Sequence, residues 1–154
     1  MGDASDVPRS AARPVPLLTA AMLRGSGGIL DMLPVATLVC DAEGSILQYN
    51  KRAVEIWGRT PEPGQSHSDF THGTRYFTAG GELESISLVE SVLSTGTPVR
   101  NAERRVERPD GSEIFVSINI DPLRNARGEL IGAINCFLDI TERKRMIGEL
   151  EQSQ

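Results

Sequence analysis

The pattern of apolar and polar positions divides the chain into two blocks of strands with helices between them. The apolar run Ala36–Asp41 predicts a strand, and Gly44 marks the turn that follows it. Four more strands are predicted by alternation or by extended apolar runs, at residues 46–50, 98–112, 113–125 and 130–139. Five strands in two blocks predict an α+β fold, in which helices cover one face of an antiparallel sheet.

Helical spacing dominates the region between the two blocks. Asn50 is a good helix N-cap, and the apolar positions after it share one helical face: Ala53, Val54, Ile56 and Trp57. A longer helix is predicted over residues 82–96 by the spacing of Leu83, Ile86, Val89 and Leu93. Residues 58–81 are the least regular part of the chain and contain both histidines.

Composition predicts one domain with short extensions. Residues 1–27 are rich in Pro, Gly, Ala and Ser, and predict a flexible segment with room for a short helix at residues 17–25. The domain is predicted over residues 28–141, and residues 142–154 begin a C-terminal helix. The domain opens with a short helix that Pro34 stops.

Charge and hydropathy exclude several classes of protein. The net charge is −5, which argues against binding to nucleic acid or to an anionic membrane surface. The chain lacks the basic start and apolar core of a signal peptide, and no apolar stretch is long enough to span a bilayer. We therefore expect a cytoplasmic protein, without membrane insertion, in which Cys40 and Cys136 are reduced.

No catalytic or metal-binding pattern is present in the sequence. His67 and His72 are five residues apart, with no carboxylate or cysteine placed to complete a metal site, and we interpret both as solvated loop histidines. A serine nucleophile would need a histidine base and an orienting acid, and both histidines lie in one short segment. Arginines and glutamates alternate in residues 100–108, which is typical of a solvated face or a dimer rim. The chain is therefore predicted not to be an enzyme.

Three motifs then occur in a fixed order. They are VCDAEGSILQYNKRAVEIWG at residues 39–58, ERPDGSE at residues 107–113 and PLRNARGELIGAINCFLDITERK at residues 122–144. With these motifs the chain resembles a PAS domain, the sensory module of bacterial two-component and related signalling proteins, over residues 29–141. The tail is similar to PAS domains that precede histidine kinases in alpha-proteobacteria. The resemblance implies five antiparallel strands in the order 2-1-5-4-3, with helices on one face.

The resemblance also implies that the concave face of the sheet lines a ligand cavity. Strand alternation and the resemblance together make the candidates for this pocket Leu38, Cys40, Trp57, Val116, Ile118, Ile120, Asn135 and Phe137. Asn135 is the polar residue among the positions that point inward on the first and last strands. Its amide could orient a small molecule, or it could bond Tyr49, Tyr76 or a trapped water. The sequence does not name the ligand.

The resemblance argues against covalent flavin chemistry and against haem. Flavin-binding members carry their reactive cysteine in an Asn-Cys-Arg-Phe motif, and the corresponding stretch here, residues 60–73, has no cysteine. Cys136 lies instead in the last strand, where we interpret it as a small buried hydrophobe. Haem-binding members use a histidine on the long helix, and residues 82–95 contain none. His72 on a flexible lid is the remaining candidate for a haem ligand.

The face of the sheet opposite the predicted ligand cavity is also predicted to be apolar. The candidates for a dimer face are Val39, Ile134, Cys136 and Leu138, and Thr37 is expected on the same side. An antiparallel sheet with a solvated face would carry polar residues there, so we expect the N-terminal helix of this chain or of a partner to cover it. This predicts a homodimer.

Asp139, Ile140 and Thr141 match the DIT exit signal of the family, which leads from the last strand into an output helix. On that helix Ile140, Ile147 and Leu150 fit one apolar seam, with Met146 beside it. The hypothesis is a sensory and dimerisation module that passes a signal to an effector such as a histidine kinase. The alternative is a PAS fold that only dimerises and binds no ligand. The third hypothesis, that the chain is an enzyme, has no supporting residues.

Overall fold

The computed structural model describes residues 31–152. The strands are β1 (Ala36–Asp41), β2 (Ile46–Tyr49), β3 (Arg75–Phe77), β4 (Val99–Glu107), β5 (Glu113–Arg124) and β6 (Leu130–Asp139). The helices are α1 (Lys51–Trp57), α2 (His67–Phe70), α3 (Leu88–Thr95) and α4 (Thr141–Gln152). The segment predicted at residues 1–27, most of the short helix before Pro34 and the last two residues lie outside this range. Among the described helices, none is both long and apolar enough to cross a membrane.

The strands form one antiparallel sheet of six in the order β2-β1-β6-β5-β4-β3. The prediction of five strands is wrong by one, because β3 pairs with the outer edge of β4 from Arg75–Glu107 to Phe77–Arg105. A strand of three residues is too short to show an alternating pattern. The order of the five predicted strands is otherwise as expected, with β1 and β6 side by side.

The helices begin where side chains accept hydrogen bonds from backbone N–H groups. Asn50 caps α1 as predicted, and Gly58 ends it with a φ of 84° that favours glycine. The longer predicted helix is wrong at its start: α3 begins at Leu88, where the hydroxyl of Ser87 accepts from the N–H of Glu90 at 3.0 Å. The residues before it bridge to β3, and Leu83 and Ile86 are exposed.

The core lies between the inner face of the sheet and helices α1, α2 and α3. Its inner-face members alternate along the strands, and among them Leu38, Cys40 and Ile120 are almost fully buried. The burial of each apolar side chain contributes roughly 1.5–3 kcal/mol to folding.

The outer face of the sheet is divided into two halves. Toward β1 and β6 it is apolar, and Val39 is 1% exposed, Ile134 and Cys136 are half-buried and Leu138 is 48% exposed. Toward β4 and β5 the same face carries Glu103, Ser117 and Asn119. The predicted dimer-face residues therefore differ in how much surface they offer to a partner, and Val39 offers almost none.

Candidate functional site

A cavity of about 40 Å³ lies between the inner face of the sheet and the helices. Its sheet wall comes from β4, β5 and β6, and its helical wall from the end of α1, from α2 and from the start of α3. Its side is formed by Tyr76 of β3 and by Glu84 and Ser87 from the segment that follows. The volume exceeds the roughly 10–15 Å³ that a cavity needs to hold one water molecule.

Six of the eight predicted pocket residues line this cavity. They are Trp57, Val116, Ile118, Ile120, Asn135 and Phe137. Leu38 and Cys40 also point to the inner face and are buried, at 1% and 2% exposed, but they do not line the cavity. These two side chains fill the core beside the cavity, on the strand next to β6.

His67 lines the helical wall, and its interpretation as a solvated loop residue is wrong. The hydroxyl of Ser66 caps α2 by accepting from the N–H of Asp69 at 3.1 Å, and the N–H of His67 donates to the carbonyl of Gly44 at 2.8 Å. This arrangement turns the imidazole inward, so that His67 is 6% exposed. His72, which follows α2, is exposed as predicted.

The environment of His67 keeps its imidazole neutral. Burial lowers the pKa of His67 from 6.5 to about 4, because the charged form loses its hydration. Its Nδ1 is buried and has no hydrogen-bond partner among the described residues.

Asn135 presents a second unpartnered polar atom from the sheet wall. It is 8% exposed and lies in the central strand β6, paired with Leu38 of β1 and with Ile120 of β5. Its Oδ1 has no hydrogen-bond partner in the part of the chain that the structure describes, so neither Tyr49 nor Tyr76 supplies one. A buried acceptor left in this state costs about 1–3 kcal/mol.

The charged side chains at the cavity wall already have partners. Glu84 pairs with the Nε of Arg104 at 2.9 Å, and these side chains are 11% and 17% exposed. Arg108 donates to the carbonyl of Ile56 at 2.6 Å and to the hydroxyl of Ser112 at 2.9 Å. Burial raises the pKa of Tyr76 to about 12, and the carboxylate of Glu84 adds to the shift.

Aromatic rings form one end of the cavity. The ring of Trp57, the single tryptophan of the chain, lies 5.7 Å from that of Phe137, measured between centroids. It also meets Phe70 edge-on at 4.7 Å, which places Phe70 behind it in the core. This cluster gives the cavity an apolar wall with ring edges and faces.

The two thiols are not activated. Both cysteines are free in the structure. Burial raises the pKa of the Cys40 thiol to about 11 and also raises that of Cys136, which is half-buried beside the hydroxyl of Thr37. Protonated thiols are poor nucleophiles and poor metal ligands. Within residues 31–152, no group of three or more His, Cys, Asp or Glu side chains is placed to hold a metal ion.

The predicted relay residues connect the sheet to α4 through the backbone of Phe115. The N–H of Ile140 donates to the carbonyl of Phe115 at 2.8 Å, and the N–H of Phe115 donates to the hydroxyl of Thr141 at 2.9 Å. Asp139 in turn accepts from the N–H and the hydroxyl of Thr141, at 2.9 and 2.6 Å. Glu103 of β4 pairs with Lys144 of α4 at 2.6 Å.

Ile140 has a different position from the one predicted. It was assigned to an apolar seam of the exit helix, but it precedes α4 and is 3% exposed, so it anchors the junction in the domain. Met146 and Ile147 lie farther along α4 and are exposed, at 57% and 47%.

A family model described as the PAS fold matches residues 30–145, about three quarters of the chain. The chain belongs to the PAS fold family. PAS domains are in general sensory modules, which agrees with the coarser part of the hypothesis from the sequence. No curated protein matches the chain significantly.

Solved structures resemble this PAS domain at low identity. The PAS domain of a protein from Colwellia psychrerythraea is 23% identical, with 73% of this chain and 92% of that one covered and a TM-score of 0.54. An RNA-binding Light-Oxygen-Voltage receptor is 24% identical over 96% of this chain and 40% of its own, with a TM-score of 0.59. The PAS domain of BvgS from Bordetella pertussis is 22% identical, with 80% and 90% covered and a TM-score of 0.51. At these identities the similarity shows the fold alone.

His67 is one of the cavity residues of this PAS domain that sequence reasoning missed. A usable signal was the Ser66-to-Asp69 spacing, a serine N-cap before a short helical turn, which would have put His67 on a helix. The spacing does not indicate the direction of the imidazole, because that depends on the contact with Gly44, 23 residues earlier in the chain.

Proposed function

We propose that this PAS domain is a sensory module that binds a small molecule in the cavity and passes the change to α4. The observation that carries the proposal is the course of β6. This strand contributes Asn135 to the cavity wall and ends at Asp139, four residues later, where the relay begins. Four strand residues span roughly 13 Å, so a shift at the cavity needs to travel only a short, hydrogen-bonded path.

The relay is proposed to act through Thr141 and Ile140. Movement of β6 against β5 would alter the bonds that Ile140 and Thr141 make with Phe115, and with them the angle at which α4 leaves the sheet. The pairs that Glu103 makes with Arg143 and Lys144 connect the first turn of α4 to a second strand. A change in the sheet would therefore reach the helix at two places.

We further propose that α4 leads to an effector, such as a histidine kinase, in a cytoplasmic homodimer. The support is the exposed pair Met146 and Ile147, which a second helix would cover, and the similarity of the tail to PAS domains that precede histidine kinases. In this proposal the domain itself is not an enzyme.

The experiment tests the link between cavity and helix. Purified protein is denatured, the released molecules are identified by mass spectrometry and absorption, and the stripped protein is refolded. Hydrogen exchange of the amides of α4 is then compared in the original, stripped and replenished samples. We expect protection of α4 to change on stripping and to return on replenishment. Equal protection in all three samples, with a molecule bound, would rule out the relay.

The second candidate is a scaffold that dimerises and binds no ligand. The observation in its favour is the size of the cavity, because about 40 Å³ is far below the several hundred Å³ of a typical organic ligand site. If denaturation releases no molecule and the protein is dimeric, the scaffold reading replaces the sensory one.

A further inference from the structure

The cavity brings together two polar atoms that nothing in the described chain satisfies. His67 Nδ1 is on the helical wall and Asn135 Oδ1 is on the sheet wall. The two residues are only 6% and 8% exposed. Buried polar groups in folded proteins nearly always have a partner. Because both unpaired atoms belong to residues that line the same cavity, their hydrogen-bond partner is expected to be a molecule that occupies the cavity.

The charges around the cavity favour a neutral occupant. The charged side chains that line the cavity within the described residues are Glu84 and Arg108. Glu84 is neutralised by Arg104, and Arg108 already donates to Ile56 and Ser112. A cation that entered would lose its hydration and meet no free carboxylate, and an anion would meet only the Arg108 guanidinium, whose Nε and one terminal nitrogen are already engaged.

The two atoms also limit the hydrogen-bonding groups of the occupant. Asn135 Oδ1 only accepts, so the occupant must offer an O–H or N–H. A neutral imidazole either donates or accepts at Nδ1, depending on which ring nitrogen carries the proton. A hydroxyl group has one proton to donate, so it satisfies both atoms when Nδ1 carries the imidazole proton: it then accepts from Nδ1–H and donates to Asn135 Oδ1.

The remaining wall is apolar and partly aromatic. Trp57 and Phe137 contribute rings whose centroids lie 5.7 Å apart, and Ile118 and Ile120 contribute branched side chains. Aromatic and branched side chains of this kind pack favourably against a small ring. A cavity that binds benzene has a volume of roughly 150 Å³, so entry of a ring here requires wall side chains to move. One ring with one hydroxyl is therefore the smallest probe that matches both the polar pair and the aromatic wall.

We propose that His67 and Asn135 together select an uncharged hydroxyl-bearing ligand with a small apolar ring body, of the class that phenol represents. The proposal rests on the cavity of the proposed function and does not depend on the relay to α4. It assigns the specificity of the cavity to two side chains that approach from opposite walls.

The experiment uses three probes of similar shape. Phenol, toluene and benzoate are titrated into the full chain, and binding is followed by NMR, with the imidazole nitrogens of His67 and the side-chain amide of Asn135 as reporters. We expect phenol to bind about tenfold tighter than toluene, which corresponds to one buried hydrogen bond, and benzoate to bind weakest. Equal binding of phenol and toluene, or tightest binding of benzoate, would overturn the proposal.

Variants separate the two polar atoms from the shape of the cavity. His67→Phe and Asn135→Leu should each remove most of the advantage of phenol over toluene, while His72→Phe, at an exposed histidine, should leave it unchanged. An advantage of phenol that survives both cavity substitutions contradicts the proposal. If a cavity variant does not fold, the comparison of probes and the NMR shifts of the unmodified chain still decide.

The outcome also separates this proposal from the proposed function. Phenol that binds at His67 and Asn135 without any change in α4 supports the selection of the ligand and contradicts the relay. Failure of all three probes to bind at millimolar concentration overturns the selection proposed here. The relay would still be tested by stripping and replenishing the molecule that copurifies with the protein.

Discussion

Two buried asparagines of this PAS domain have nearly the same burial and opposite hydrogen bonding. Asn50, 1% exposed, accepts at Oδ1 from the N–H groups of Thr37 and Ala53, each at 3.0 Å, and donates to the carbonyl of Val35 at 2.8 Å. Asn135, 8% exposed, has no partner for its Oδ1 among the described residues. Burial of a side-chain amide therefore does not by itself identify the role of the residue.

The positions of the two residues explain the difference. Asn50 lies at the N-terminus of α1, where the first N–H groups of a helix have no partner within it. Asn135 lies in a central strand, where pairing with β1 and β5 uses the backbone groups around it. Its side chain lines the cavity. Asn50 therefore stabilises the fold, whereas the Oδ1 of Asn135 adds no hydrogen bond to it among the described residues.

The largest expected effect is at Asn50. Asn50→Leu removes three hydrogen bonds and leaves the N–H groups of Thr37 and Ala53 unpaired, while the carbonyl of Val35 still accepts from the hydroxyl of Thr37, so the free energy of unfolding should fall by roughly 4 kcal/mol. Urea denaturation followed by circular dichroism measures this. Asn50→Asp keeps both accepted bonds and loses the donated one, and its loss should be smaller. A loss below about 1 kcal/mol for Asn50→Leu would contradict the structural role of this residue.

The next effect concerns pH and the second unpartnered residue, His67. Burial lowers its folded pKa to about 4, below the value of 6.5 for an unfolded chain. Between these values the unfolded state takes up a proton and the folded state does not. This contribution to stability is therefore present above pH 6.5 and is lost as the pH falls toward 4. The loss should reach roughly 3 kcal/mol.

Denaturation at a series of pH values measures this loss. In His67→Gln the slope of stability against pH between 6.5 and 4 should flatten, while His72→Gln, at an exposed position, should keep the slope of the unmodified chain. Hydrogen bonds to neighbouring side chains lower the pKa values of carboxylates such as Glu107 and Asp110. These carboxylates contribute equally to the pH dependence of all three proteins. Identical slopes in all three would contradict the neutral, buried state of His67.

A smaller effect is expected at Thr141, whose side chain resembles that of Asn50 in accepting from a backbone N–H. Thr141→Val leaves the N–H of Phe115 without its acceptor, and the free energy of unfolding should fall by about 1 kcal/mol. Hydrogen exchange at the start of α4 should become faster at the same time. Thr97→Val, at an exposed threonine, is the control. Unchanged exchange in α4 would separate Thr141 from the relay.

The sequence predicted the parts of the fold that local patterns determine. The bounds of β1 and β6 and the capping of α1 by Asn50 follow from apolar runs and from the chemistry of helix ends. The prediction missed β3, because this strand forms only by pairing with β4, about 30 residues later in the chain. It placed the start of α3 too early, because Leu83 bridges to Phe77 of β3 instead of joining the helix. In the cavity, alternation placed Asn135 and its apolar neighbours, whereas His67 depends on a contact that no periodicity shows.

The contrast between the two asparagines is measured by the free energy of unfolding of Asn135→Leu beside that of Asn50→Leu. Leucine has a similar shape and removes an acceptor that has no partner, so replacement should be neutral or stabilising by less than about 1 kcal/mol. We therefore predict that the stability of Asn135→Leu equals or slightly exceeds that of the unmodified chain, stripped of any bound molecule. A loss of more than about 2 kcal/mol would mean that Asn135 is bonded within the native protein, and the contrast between the two asparagines would not hold.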